Sequence, residues 1–196
     1  MPLGAHKAAI MGVAGTAAAA DVVLLYDTDH SDAASASISS GIDSTYGEYI
    51  FGFYNMNPVT DTANFQFQVN VDGESGYNET ITSAAFRAYH KEDDSSAALG
   101  YGSGLHQNEG TAFQSVFESI GNGADESCAG TLHLFNPSNT TYVKHWYSRC
   151  VGMWATDVAV DHFLAGYFNV TGAIDDIQFK MSTGNFDGTI KMWGVK

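Results

Sequence analysis

Apolar and polar side chains alternate with a period of two residues in several separate stretches of this chain. The clearest alternation runs from Phe65 to Val71, where apolar residues alternate with Gln66, Gln68 and Asn70. Successive side chains of a β-strand point to opposite sides, so this spacing is typical of a strand with one buried face. We predict a strand at 65–71 on this pattern.

Similar short patterns recur along the chain and are separated by turn-forming residues. They predict strands at 22–26, 46–55, 83–89, 131–135, 140–147, 161–170, 174–181 and 188–195, and a polar edge strand within 32–45. The segment 113–120 fits a strand or a single helical turn, 153–160 fits a loop or a short strand, and 90–109 fits a glycine-rich loop. About eight to ten short strands without an amphipathic helix predict an all-β fold, a jelly-roll or lectin-like antiparallel β-sandwich.

The first 20 residues differ from the rest in composition. They are mostly alanine and glycine, and they imitate a secretory signal with a poor hydrophobic part. We interpret 1–20 as an extended N-terminal arm that docks on a neighbouring subunit, and a retained signal is the alternative. The arm's candidate partner-binding residues are its larger apolar side chains, Leu3, Ile10, Met11 and Val13. Residues 21–196 are predicted to form a single β-sandwich domain.

The two cysteines flank a predicted hairpin with the four-residue loop 136–139. A loop of that length places residue 134 opposite 141, and continuing the ladder points Cys150 away from the face that Cys128 occupies. A disulfide would then need a bulge or a break in the ladder. The register therefore predicts two free thiols.

The net charge of the chain limits the classes of partner that it can bind. Eight basic residues against 22 acidic ones give a net charge of −14. Nucleic acids and anionic membrane surfaces are excluded as partners on this basis, because binding to them depends on lysine and arginine. No apolar run approaches the roughly 20 residues of a membrane-spanning helix. Charged residues make up 15% of the chain and aromatic residues 13%, a composition that suits uncharged polar β surfaces.

Motifs for catalysis, metals and cofactors are not found in the sequence. The predicted hairpin places His133 and His145 on opposite faces, so they are not expected to share a metal ion. Acidic residues cluster at 27–32 and at 92–94, but without the spacing of a dedicated calcium loop. Solvated loop charge is the favoured interpretation and calcium the minor alternative. We predict no enzymatic activity, no catalytic or metal-binding residues and no cofactor.

Tryptophans offer one alternative binding site. Trp146 and Trp154 would provide a platform on which sugar rings stack. Large aromatic side chains more often fill a core or a subunit contact, because each buries a large area. The structural interpretation is therefore favoured over a glycan site.

The closing segment 174–195 reads IDDIQFKMSTGNFDGTIKMWGV and resembles the terminal hairpin of small virion structural proteins of marine tailed phages, including those of cyanobacteria. The stretches 49–54, 64–70 and 77–82 and the start 1–5 show the same likeness, which spans nearly the whole chain. The resemblance implies a lectin-like sandwich built into the virion without catalysis. The leading expectation is a capsid decoration or cement protein that packs against major capsid or tail proteins and copies of itself. The alternative is a tail or fibre component that binds host glycans.

Overall fold

The structure, a computed structural model, describes residues 21–196 and is all-β in this range. Its strands are β1 (Val22–Ala33), β2 (Ala36–Ile38), β3 (Glu48–Pro58), β4 (Ala63–Val71), β5 (Ile81–Lys91), β6 (Ala97–Tyr101), β7 (Gln114–Ile120), β8 (Cys128–Phe135), β9 (Lys144–Trp154), β10 (Val158–Phe168), β11 (Ile174–Met181) and β12 (Phe186–Val195). The pairings between them are antiparallel, so the predicted antiparallel β-sandwich is confirmed. The proposed arm lies outside the described residues.

The strands form two layers. The front sheet has the order β1-β12-β3-β8-β9-β10-β5-β6, and the back sheet has the order β7-β4-β11-β2. The two sheets join where Ile120 pairs with Trp154, which nearly closes the sandwich along that side. No part of residues 21–196 forms a helix that is long and apolar enough to cross a membrane.

Aromatic rings from both sheets fill the space between the layers. Phe179 of β11 lies at the centre, with the ring centroids of four phenylalanines 5.2–6.4 Å from its own: Phe51 at 5.5 Å, Phe53 at 5.2 Å, Phe65 at 6.0 Å and Phe67 at 6.4 Å. These rings are almost completely buried. Burying one such side chain contributes about 1.5–3 kcal/mol. The inward positions predicted for Phe65, Phe67 and Val69 are confirmed. Gln68 and Asn70, predicted on the exposed face, are buried, because the segment after β4 covers that side: Gln68 donates to Glu79 O, and Asn70 accepts from the Tyr77 N–H. Val71 is half-buried.

The hairpin of β8 and β9 has a longer loop than predicted. Leu134 pairs with Trp146 and not with residue 141, and the loop spans 136–143. Asn139 explains the extra length, because its side-chain oxygen accepts the backbone N–H groups of Thr141 and Tyr142 at 2.7 and 2.9 Å. This Asx turn replaces the first rungs of the expected ladder.

The new register reverses the predicted faces, because the pairing shifts by an odd number of residues. Cys128 and Cys150 both point into the core on the same face, so the prediction that they face apart is wrong. They are nevertheless free thiols, as predicted. Burial raises the pKa of both thiols, that of Cys150 to about 12. His133 and His145 lie on the same outer face, so their predicted separation is also wrong.

Three further segments differ from the sequence pattern. The region 90–109, predicted to be a loop, contains strand β6, and 113–120 is resolved as strand β7. The closing segment does not form a hairpin: β11 pairs with β4 and β2 of the back sheet, while β12 pairs with β1 and β3 of the front sheet. The turn at 182–185 therefore crosses from one layer to the other.

Candidate interaction surface

The outer side of the front sheet carries a continuous group of apolar and aromatic side chains. Strands β5, β9 and β10 pair without a register shift, so directly opposite residues point to the same side of the sheet. Successive residues of each strand alternate between the core and the outer side. We call the outward group around this centre the aromatic face. It consists of Phe86, Leu99, Tyr101, Phe135, Tyr147, Val151, Phe163 and Tyr167.

The middle of the aromatic face is an open stack of rings. Phe86 pairs directly with Phe163, and their rings are parallel with centroids 4.7 Å apart. Tyr101 of β6 is the next side chain outward and is 61% exposed. With Tyr147 these rings line a shallow recess of about 420 Å³. The recess offers a rigid apolar surface, because each side chain stands on a paired strand.

Arg149 lies over the ring of Phe163. Its guanidinium carbon is 4.7 Å from the ring centroid of Phe163, and its Nε and Nη2 donate to the two carboxylate oxygens of Asp161 at 3.1 and 2.7 Å. This exposed pair adds little to stability, because solvent screens it. The main consequence of the pair is the position of Arg149. Asp161 balances its charge, and its side chain extends the aromatic stack beyond Phe163.

Tyr147 continues the aromatic face toward β8. Its ring stacks on His133, with centroids 4.4 Å apart and planes 12° from parallel. The Nδ1 of His133 lies 2.6 Å from Oε1 of Glu48, which fixes the orientation of the imidazole. The stacked rings of Tyr147 and His133 extend the ring surface of the aromatic face to β8.

The two tryptophans of the predicted glycan platform do not lie together. Trp146 is 2% exposed and packs edge-on against Phe67 in the core, so a sugar ring has no access to it. Trp154 is half-buried at the junction of the sheets, where Arg87 lies 4.9 Å from its ring centroid. Leu3, Ile10, Met11 and Val13 lie outside the described residues.

The acidic clusters are engaged with donors of the protein itself. Asp27 accepts from Lys191 Nζ at 2.9 Å, and Asp29 accepts from the Thr189 hydroxyl at 2.6 Å. In the turn after β5, hydrogen bonds from Ser95 lower the pKa of Asp93 to about 2. Between Asp21 and Lys196, no three histidine, cysteine or acidic side chains are placed to share a metal ion.

A second group of polar side chains lies on the inner side of β5, β7 and β10, beside a recess of about 430 Å³. Arg87 forms an ion pair with Glu118, and His162 is completely buried below them, with its Nε2 3.8 Å from Glu118 Oε1. Neither ring nitrogen of His162 has a hydrogen-bond partner. Burial, and then the charge of Arg87, lowers the pKa of His162 to about 4. The imidazole is therefore neutral at pH 7, and its contact with Glu118 is not an ion pair.

Buried His162 makes the stability of the fold depend on pH. Its pKa is lower in the folded chain than the ordinary 6.5, so the unfolded chain binds more protons between pH 6.5 and 4. Stability should therefore fall by up to about 3 kcal/mol as the pH decreases through that window. Urea unfolding of the wild type and His162→Leu at pH 7, 5.5 and 4.5 checks this. The difference in the free energy of unfolding between the wild type and His162→Leu should change with pH by up to that amount. An equal pH dependence of the two proteins would contradict the lowered pKa of His162.

The chain matches no protein-family model and no curated protein. A function for this protein must therefore be inferred from its surface. The aromatic face is the feature that carries it.

Proposed function

We propose that this protein is a non-enzymatic structural component of a tailed-phage virion, a capsid decoration or cement protein that packs against neighbouring subunits through the aromatic face. One observation carries the proposal: large rings stand exposed on the outer side of a sheet whose inner side already has a complete aromatic core. Contiguous apolar patches on a protein surface mark interaction sites. The sequence resemblance to small virion proteins of marine tailed phages supports the same assignment.

The composition of the aromatic face suits a protein partner. Tyrosine and arginine are enriched among the residues that dominate binding energy at protein interfaces, and both are present here as Tyr101, Tyr147 and Arg149. Phe86 is 49% exposed and Tyr147 is 42% exposed, so a partner would bury substantial ring area. Because the side chains stand on paired strands, little conformational entropy is lost on docking.

Charge supports a protein partner over a nucleic acid. The whole chain carries a net charge of −14, which repels phosphates. On the aromatic face, Arg149 is paired with Asp161, and His133 with Glu48. A neighbouring subunit therefore meets apolar rings, an Arg149 whose charge is balanced by Asp161 and a Glu48 that already has a hydrogen-bond partner, so little desolvation of unpartnered polar groups opposes the contact.

The proposal predicts that particle incorporation depends on the aromatic face. In the double variant Phe86→Ser with Tyr147→Ser, we expect the copy number in purified particles to fall at least tenfold, because two exposed rings are removed from the contact. Val59→Ser is the control, since Val59 is 53% exposed in the turn between β3 and β4. Quantitative mass spectrometry of the particles and circular dichroism of the purified variants provide the measurements.

The outcomes separate the alternatives. Absence of the wild-type protein from particles, or unchanged incorporation of the double variant, would overturn the proposal. Normal incorporation with lost adsorption to the host would favour a glycan-binding tail or fibre component instead. Copy number also distinguishes the location, because a shell requires copies on the order of hundreds and a tail on the order of a dozen.

A further inference from the structure

Within residues 21–196, strand β6 pairs only with β5 and forms an open edge of the front sheet. Its residues Ala97, Ala98, Leu99, Gly100 and Tyr101 are all exposed, Leu99 at 73%, and none of them is charged or proline. Protein edges are normally protected against pairing by charges, bulges or short length. The other edge of the front sheet has such protection, because β1 carries Asp27 and Asp29 and two register shifts.

The hydrogen bonds of β6 show which backbone groups are open. Gly102 N donates to Ala85 O at 2.9 Å, and Lys91 N donates to Ser96 O at 2.8 Å. In an antiparallel ladder these bonds alternate along a strand, so the even-numbered residues of β6 direct their N–H and C=O groups to β5. Leu99 and the other odd-numbered residues direct theirs away from β5, toward solvent.

We infer that β6 pairs with β6 of a second copy of this chain across a two-fold axis, with Leu99 opposite Leu99. In this antiparallel register residue 97 lies opposite 101, so every outward N–H and C=O group of the three odd-numbered residues finds a partner. The side chains also fit, because the large Tyr101 faces the small Ala97. On the inner side Ala98 faces Gly100.

Charge favours pairing of two copies through β6 over pairing through β1, the opposite edge of the front sheet. A two-fold pairing of β1 would bring strongly acidic strands together in a chain of net charge −14, and like charges directly opposite are destabilising. Pairing through β6 places no charged side chain of the strand against its copy. It also joins the two aromatic faces into one surface, because Leu99 and Tyr101 lie on the outer side of the sheet beside Phe86.

This inference goes beyond the proposed function and does not depend on it. A pure dimer of the isolated protein would support it even if the protein were never found in a particle. The contact is one strand wide and smaller than the roughly 1,200–2,000 Å² of a standard interface, so we expect a dissociation constant in the micromolar range.

Sedimentation equilibrium of the full chain from low micromolar to near-millimolar concentration tests the pairing. Leu99→Pro should weaken the dimer at least tenfold and leave the monomer folded, because the N–H of Leu99 points outward and bonds to nothing in β5. Ala98→Pro is the matched control, since its N–H lies on the side that pairs with Tyr89 and its loss should destabilise the monomer. A monomeric wild type at all concentrations, or a Leu99→Pro dimer of unchanged affinity, overturns the inference.

A crosslinking experiment tests the register. Leu99→Cys should give a covalent dimer with a short bifunctional maleimide, because the two-fold axis places residue 99 beside its copy. Tyr142→Cys, at a position that is 70% exposed in the β8–β9 loop, should remain monomeric. The native thiols are buried and should not react. If deletion of residues 1–20 abolishes the wild-type dimer, that segment and not β6–β6 pairing joins the two copies, and the inference is overturned. Equal crosslinking of the Leu99→Cys and Tyr142→Cys variants would also overturn it.

Discussion

Replacing Phe179 by alanine is expected to destabilise the fold by about 3–5 kcal/mol, the range for truncating a buried phenylalanine. The ring of Phe179 is fully buried and contacts phenylalanines of both sheets, so its removal leaves a cavity that neither sheet closes by itself. Chemical denaturation followed by tryptophan fluorescence measures the loss. Phe86→Ala is the matched control and should change stability by less than about 1 kcal/mol, because Phe86 faces solvent.

The comparison tests whether the outer side of the front sheet is exposed in the isolated chain. A loss for Phe86→Ala as large as that for Phe179→Ala would mean that the aromatic face is buried in the isolated chain. The aromatic face would then not be available to a partner, and the proposed function would lose the observation that carries it.

Replacing Gly130 by alanine is expected to destabilise the fold by about 3 kcal/mol, at the upper end of the range for overpacking. A β-carbon at Gly130 would lie 2.7 Å from both the Cα and the Sγ of Cys150 and would collide with the backbone carbonyl of Arg149. Backbone atoms of a paired strand cannot move aside as a flexible side chain does. The measurement is again the free energy of unfolding in denaturant.

Gly100→Ala provides the control for Gly130. Nothing lies within 4 Å of a β-carbon at Gly100, so the added methyl group meets open space. Stability should stay the same or rise by about 0.5 kcal/mol, because alanine restricts the unfolded chain. Equal losses for the two variants would show that β-propensity, and not the close approach of β8 and β9, determines the effect.

Docking through the aromatic face and dimerisation through β6 would reinforce each other. A dimer joined through β6 would present twice the aromatic face of one chain, and a doubled surface binds more strongly when both halves engage a particle at once. Phe86→Ser should weaken docking and leave pairing unchanged, whereas Leu99→Pro should weaken both, because Leu99 belongs to the aromatic face as well as to the β6 edge.

The glycan platform shows where reasoning from sequence failed. Trp146 and Trp154 are eight residues apart on the same strand and therefore point to the same side of it, but the sequence does not say which side. The structure turns that side inward, so Trp146 joins the core. The aromatic face was not predicted as a site, although its signal was present in the odd-numbered residues of β9 and in Phe86.

Strand β5 is a clearer case in which the sequence does not show which side of the strand is buried. Hydrophobicity alone would place Phe86 inside and Arg87 outside, yet the structure has the opposite arrangement. Arg87 faces inward because β7 provides Glu118 for it, and Phe86 faces outward because it is stacked on Phe163 of β10. Both partners come from distant parts of the chain.

The sequence by itself determined the all-β class, most strand positions and the inward direction of Phe65, Phe67 and Val69 in β4, because the alternation of apolar and polar side chains is a local property of the chain. Only the tertiary structure decided the register of β8 with β9, the existence of β6 and the outward direction of Phe86 and Tyr147. Register depends on how the loop at Asn139 folds, and an edge strand such as β6 exists only because β5 offers it a ladder. Which side of a strand is buried depends on what packs against it, and that partner comes from elsewhere in the chain.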